Sequence, residues 1–212
     1  MLIKTLFTDP RFFASSVLVV VFSICLHEFL HAWAALKMGD PTAADRGHLT
    51  MNPFRQMGVV SLVMLLFIGV AWGAVPVDPR NLNSRKKRII VAAAGVAGNL
   101  FLVFAFSLLA VIVMSRLPEH DFAIRMLIYG AVINMVLFFI NIIPVPGFDG
   151  FNIVREFIHI RIDSQRTAEI ANTFFFILAM IFFVCFDRIS EFSTKLVWHI
   201  LQMLISVMGL NR

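Results

Sequence analysis

Long apolar runs separated by short polar turns set the pattern of this chain. Residues 12–38 are apolar almost throughout and end at Gly39-Asp40-Pro41, a turn signal. Residues 57–75 form a shorter apolar run containing Gly58, Gly69 and Gly73, which predicts a short span or a re-entrant segment. Pro76-Val77-Asp78-Pro79 then forbids helix. Residues 89–114 are a clear predicted span, and its first half, Ala92-Ala93-Ala94-Gly95-Val96-Ala97-Gly98, lets another backbone approach closely. Residues 122–145 make the next span, which breaks at Pro144-Val145-Pro146-Gly147-Phe148-Asp149-Gly150. Residues 151–171 read as a loop, 172–186 as a short span, and 194–208 as a span or an interfacial helix. In the polar stretch 40–56, Leu49-Thr50-Met51 suggests a short strand.

The pattern predicts an all-α polytopic membrane protein of about five to six transmembrane or re-entrant helices. A short membrane-associated β element near residues 46–53 is expected beside them. The whole chain, 1–212, reads as one integral-membrane domain with its core at about 12–155 and C-terminal helices at about 172–209.

Composition supports this. The chain is 59% hydrophobic and 15% charged, against about 25% charged in soluble domains. Mean hydropathy is +0.87. The net charge of +5 does not point to nucleic acid. The basic residues sit in short loops, with Arg80 and Arg85-Lys86-Lys87-Arg88 before one span and Arg155, Arg161 and Arg166 after another. By the positive-inside rule those loops are cytoplasmic. Cys25 and Cys185 both lie in apolar segments and form no C-x-x-C pair, so neither a disulfide framework nor a cysteine zinc site is indicated. No cleavable signal peptide is evident before the first span.

Inside that span lies His27-Glu28-Phe29-Leu30-His31. On a helix the two histidines are i and i+4, so both imidazoles leave one face and reach one zinc ion. Glu28 stands beside them as a candidate general base. Ionisable groups are costly at membrane depth and mark function there. A catalytic zinc site needs a third protein ligand. Asp149 fits, because it follows a helix broken by two prolines and a glycine, and irregular backbone at that depth lines a cavity or is buried in protein. The histidines lie about 23–29 Å along the first span at 1.5 Å per residue, nearer its C-terminal end. Asp149 also closes its span at the C-terminal end. If they meet, both spans run toward the cytoplasm, and residues 57–75 must enter and leave on one side. Taken alone, Asp149 is better read as a turn-forming Asp-Gly that caps a broken helix.

These residues resemble the site-2 proteases, zinc metalloproteases (peptidase family M50) that cut within the membrane. The first family signature is His27, Glu28 and His31. The second, N-x-x-P-x-P-x-x-D-G, is matched by Asn141-Ile142-Ile143-Pro144-Val145-Pro146-Gly147-Phe148-Asp149-Gly150. The stretches around Gly39–Ala43, Leu49–Pro53 and Pro76–Pro79 look like the compact bacterial branch without PDZ or CBS domains. Val96 stands where the family often has proline.

The resemblance implies one zinc ion held by His27, His31 and Asp149, with Glu28 as general base. It implies membrane-protein substrates cut in their transmembrane segments, a lipid bilayer as surroundings, and a multi-pass place in the cell membrane, here the bacterial inner membrane. An extended substrate could add as a strand at Leu49–Met51. Asn99, Asn134 and Asn141 are candidates for holding its unwound backbone, or alternatively for bonding helix to helix. Two rivals remain at this point. One is a non-proteolytic homologue that binds membrane clients, and the other is a metal transporter.

Overall fold

The computed structural model describes residues 2–158 and 165–210, with side chains at 5–158 and 185–210. The elements are α1 (Leu2–Thr8), α2 (Pro10–Met38), α3 (Thr42–Asp45), α4 (Pro53–Gln56), α5 (Gly58–Phe67), α6 (Arg85–Arg116), α7 (Asp121–Ile142), α8 (Asp149–Ile158) and α9 (Gln165–Val207). Among the described residues α2, α6 and α7 are long and apolar enough to cross a membrane. α6 is the hub and packs against α2, α7, α8 and α9. Its start is set by Ser84, whose hydroxyl accepts from the amide of Lys87, an N-cap. α2 begins likewise, with Asp9 accepting from Phe12 N before Pro10 in the first turn. It ends at Gly39 with φ +105°, a left-handed cap.

Residues 57–75 do not form a spanning helix. α5 holds 10 residues, about 15 Å at 1.5 Å per residue, half of a hydrocarbon core of about 30 Å. At Gly69 (φ +83°) the chain turns and comes back without regular secondary structure. The Ser61 hydroxyl donates to Trp72 O at 2.7 Å and accepts from Trp72 N at 2.9 Å. Ala74 N donates to Gln56 O at 3.0 Å, so the segment closes as a hairpin beside its own start. At its exit the fully buried Asp40 accepts from Asp78 N and from Asn81 Nδ2, each at 2.8 Å. Burial opposes ionisation of Asp40, but these bonds and those from Thr42 outweigh it and hold its carboxyl below the usual range. The knot ties the Pro76–Pro79 bend to the end of α2.

Two expectations are corrected. Residues 46–53 contain no strand; 46–52 are turns, bends and irregular backbone between α3 and α4, and Pro53 opens α4. Their carbonyls are taken by a side chain instead of a ladder: Gln56 Nε2 donates to His48 O at 2.8 Å and Thr50 O at 2.7 Å. Asn52 then caps α4 by accepting from Phe54 N. The second correction concerns the C-terminal region. Residues 172–186 and 194–207 of those two segments belong to one continuous helix, α9, of 43 residues. No glycine or proline lies between Gln165 and Val207, and the polar residues 187–191 are accommodated on the helix, where Lys195 pairs with Glu191 at 2.8 Å. The expected loop 151–171 is helical at both ends, and residues 159–164, with His159 and Arg161, lie outside the described residues.

Candidate metal centre

Three helix segments bring the site together at one end of the bundle. α2 contributes His27, Glu28 and His31, which are 7–8% exposed. Facing them is one stripe of α6, Val91, Gly95 and Asn99, spaced i, i+4, i+8. Asp149 arrives from the break after α7. Ile143, preceding Pro144, takes an extended conformation, φ −64° and ψ 131°, which ends α7. Gly147 turns the chain at φ +102°, and Asp149 opens α8. Gly150 packs so tightly on Ile142 that an added Cβ would overlap that residue's carbonyl, so the Asp-Gly pair has a steric cause. α8 is docked on the first turn of α6: Arg88 pairs with Glu156 at 2.8 Å, and the Arg85 guanidinium lies 4.0 Å over the Phe157 ring. The basic cluster read as a topology signal also holds the helix that carries Asp149.

His27 Nε2, His31 Nε2 and Asp149 Oδ2 form a nearly equilateral triangle. Its edges are 3.0 Å between the rings and 3.1 Å from each ring to the carboxylate. His31 Nδ1 is 2.8 Å from Val91 O. A backbone carbonyl only accepts, so Nδ1 carries a proton and neutral His31 presents a lone pair at Nε2. His27 Nδ1 is 2.7 Å from Asn99 Oδ1. Two imidazole lone pairs and a carboxylate oxygen converging at 3 Å repel one another unless a cation lies among them. The edges are close to the roughly 3.3 Å of a tetrahedron with bonds of about 2.0–2.1 Å. The donor set therefore fits zinc, and these three residues could hold one metal ion.

Glu28 lines the same cleft, whose volume is about 1080 Å³. That is at the upper end of ligand pockets, about 300–1,000 Å³. The returning arm of the hairpin forms one wall. Gly73 lies so close that an added Cβ would overlap Glu28 Cγ and stand 2.6 Å from Oε1. Of the three asparagines, Asn141 and Asn99 line the cleft and Asn134 does not. Asn99 and Asn134 are fully buried, and Asn99 Nδ2 donates to Asn134 Oδ1 at 3.0 Å. The sequence does not reveal the place of Gly73, Gly95, Arg88 or Glu156 at the site. Only the small-residue run 92–98 carried a signal, for a close approach without its partner.

A model of peptidase family M50 matches residues 112–182, which contain Asn141–Gly150 and not the two histidines. The "Putative zinc metalloprotease YwhC" of Bacillus subtilis (strain 168) is 29% identical over 181 residues, 79% of each chain. Rip2 of Mycolicibacterium smegmatis, with the same designation, is 30% identical over 169 residues. Rip2 of Mycobacterium tuberculosis (strain ATCC 25618 / H37Rv) is 31% identical over 169. These two matches cover 76% of this chain and 63% of Rip2. No solved structure matches the chain.

Proposed function

The chain belongs to peptidase family M50 and is a zinc metalloprotease, and from that premise we propose that it cuts membrane proteins within their transmembrane segments. The observation that carries the proposal is the triangle of His27, His31 and Asp149 among helices long and apolar enough to cross a membrane, with Glu28 in the same cleft. Those three side chains hold the zinc. When bound, zinc supplies a Lewis acid that lowers the pKa of water to about 7.

Glu28 accepts the proton of the attacking water and returns it to the departing amine, the same carboxylate acting as base and then acid. Val91 and Asn99 keep the histidine rings turned to the metal through their Nδ1 atoms. Arg85 and Arg88 keep Asp149 in place by docking α8.

A helical substrate hides its carbonyls and must unwind to be cut. The returning arm 70–77, which has no regular secondary structure and passes Glu28 at Gly73, is the place for a strand-like substrate to add. It takes the role expected of residues 49–51, where Gln56 occupies the carbonyl of Thr50 and that of His48 just before them. Asn141 on the cleft wall is the amide placed to hold the unwound chain, since Asn99 and Asn134 are bonded to His27 and to each other. The hairpin 57–75 is re-entrant in this reading. The site lies at the end of the bundle that carries Arg85–Arg88, the cytoplasmic side of the bacterial inner membrane by the positive-inside rule.

The test uses the purified full chain in lipid vesicles with a single-span substrate, the cut mapped by mass spectrometry. Cleavage is expected inside the apolar segment, to stop with a zinc chelator and to return with added zinc. Cuts confined to water-exposed stretches, or cleavage indifferent to chelation, would overturn the proposal.

A further inference from the structure

A buried chain of polar side chains leads away from His27, and the reaction as proposed uses only its first link. Ser23, Asn99 and Asn134 are each fully buried. Asn99 Oδ1 meets His27 Nδ1 at 2.7 Å, and Asn99 Nδ2 donates to Asn134 Oδ1 at 3.0 Å. Asn134 Nδ2 donates to Ser23 Oγ and to Gly130 O, both at 2.8 Å, and the Ser23 hydroxyl donates to Val19 O at 2.8 Å. The chain thus passes from α2 through α6 to α7 and back to α2.

Its polarity is fixed from the far end. Val19 O and Gly130 O only accept. Ser23 must therefore donate to Val19 O and accept from its other neighbour. The atom of Asn134 beside Gly130 O must be the nitrogen, which turns Oδ1 toward α6. Asn99 must answer with Nδ2, which turns its own Oδ1 toward His27. His27 must then donate from Nδ1, leaving the lone pair on Nε2, the atom in the triangle with His31 and Asp149. Without the relay no other hydrogen bond among the described residues orients the Asn99 amide. Its nitrogen could face Nδ1, and His27 would carry its proton on Nε2, where it blocks a metal.

We infer that Asn134, and Ser23 behind it, are positioning residues that select the metal-binding tautomer of His27 through Asn99, although neither touches His27. The inference rests on the proposal that His27 ligates zinc. It gives the two ligands of α2 a common logic: backbone carbonyls fix each tautomer, Val91 O directly for His31, and for His27 Gly130 O through Asn134 and Asn99 and Val19 O through Ser23 as well. It also makes α7, the helix that leads to Asp149, part of what prepares His27.

The test is a double-mutant cycle on the full chain in detergent, reading zinc affinity by chelator competition and ligand geometry from the absorption bands of the cobalt-substituted protein. Asn134→Leu should weaken zinc by about 10- to 100-fold, the range for outer partners of metal-bound histidines, and shift the cobalt bands. Asn99→Asp offers His27 only acceptor oxygens, so it fixes the tautomer without the relay. Asn99→Asp/Asn134→Leu should therefore regain most of the lost affinity. A purely structural role for Asn134 predicts no such recovery, because the bond between α6 and α7 is absent in both variants. Ser23→Ala removes one buried oxygen and serves if Asn134→Leu does not fold; it should give a smaller loss that Asn99→Asp also cancels. Unchanged affinity in Asn134→Leu, or a double variant as weak as the single, overturns the relay. His27→Ala separates the two levels: if it leaves zinc affinity unchanged, the ligand assignment fails; if it lowers affinity while Asn134→Leu does not, only the relay fails.

Discussion

Glu28→Gln is expected to bind zinc as tightly as the parent protein and to cleave a membrane substrate about 10²- to 10⁴-fold more slowly, the contribution of a positioned general base. The amide has the shape of the carboxylate but cannot take a proton from water. Glu28 is outside the donor triangle, so the metal should be retained. It is 8% exposed and backed by Gly73, so glutamine has little room to adopt another position. The check is kcat at saturating substrate together with zinc per chain on the same preparation. Loss of both would make Glu28 a structural member of the site, and an unchanged rate would remove it from the reaction.

Gly95→Ala is expected to empty the site of metal. The new methyl would overlap His31 Nε2 and stand 2.6 Å from His27 Nε2, on the atoms that converge. Both rings would have to turn away or α6 would have to withdraw from α2. A displacement near 1 Å costs about 10²-fold in rate, and zinc affinity should fall at least as far. The sign of the propensity term sharpens the test. Within a helix, alanine is favoured over glycine by about 1 kcal/mol, so a weakened α6 cannot explain the loss. Zinc titration of the purified variant measures it. Normal zinc binding in Gly95→Ala would show that α2 and α6 are farther apart than described.

Much of the site was legible because its chemistry obeys local rules. The i, i+4 spacing of His27 and His31 needs only a helix, and the apolar run supplied one. Asp149 could be proposed beside them because two prolines and a glycine break the apolar run just before it. The small run 92–98 announced a close approach, and its partners are His27, His31 and Leu30, against which Gly95 and Gly98 pack. What escaped is non-local or depends on one side chain. The strand expected at 49–51 fails because Gln56 reaches back to the carbonyls of His48 and Thr50. The two C-terminal segments fuse because polarity at 187–191 does not end a helix that lacks glycine and proline. The hairpin at 57–75 was open to two readings until the bonds from Ser61 to Trp72 and from Ala74 to Gln56 closed it. Asn99 and Asn134 do bond helix to helix, one of the two roles expected of them; their particular partners lie 72 and 35 positions away along the chain, a separation that no pattern in one sequence encodes.

The central claim is that His27, His31 and Asp149 are the zinc ligands of this peptidase. X-ray absorption at the zinc edge, on the parent protein and on Asp149→Ala, tests it most directly. The parent should hold one zinc with nitrogen and oxygen neighbours at about 2.0–2.2 Å and the outer-shell signature of two imidazoles, and Asp149→Ala should lose the metal or one oxygen neighbour. A sulfur neighbour near 2.3 Å, which would bring in Cys25, or a zinc environment unchanged in Asp149→Ala, would contradict it.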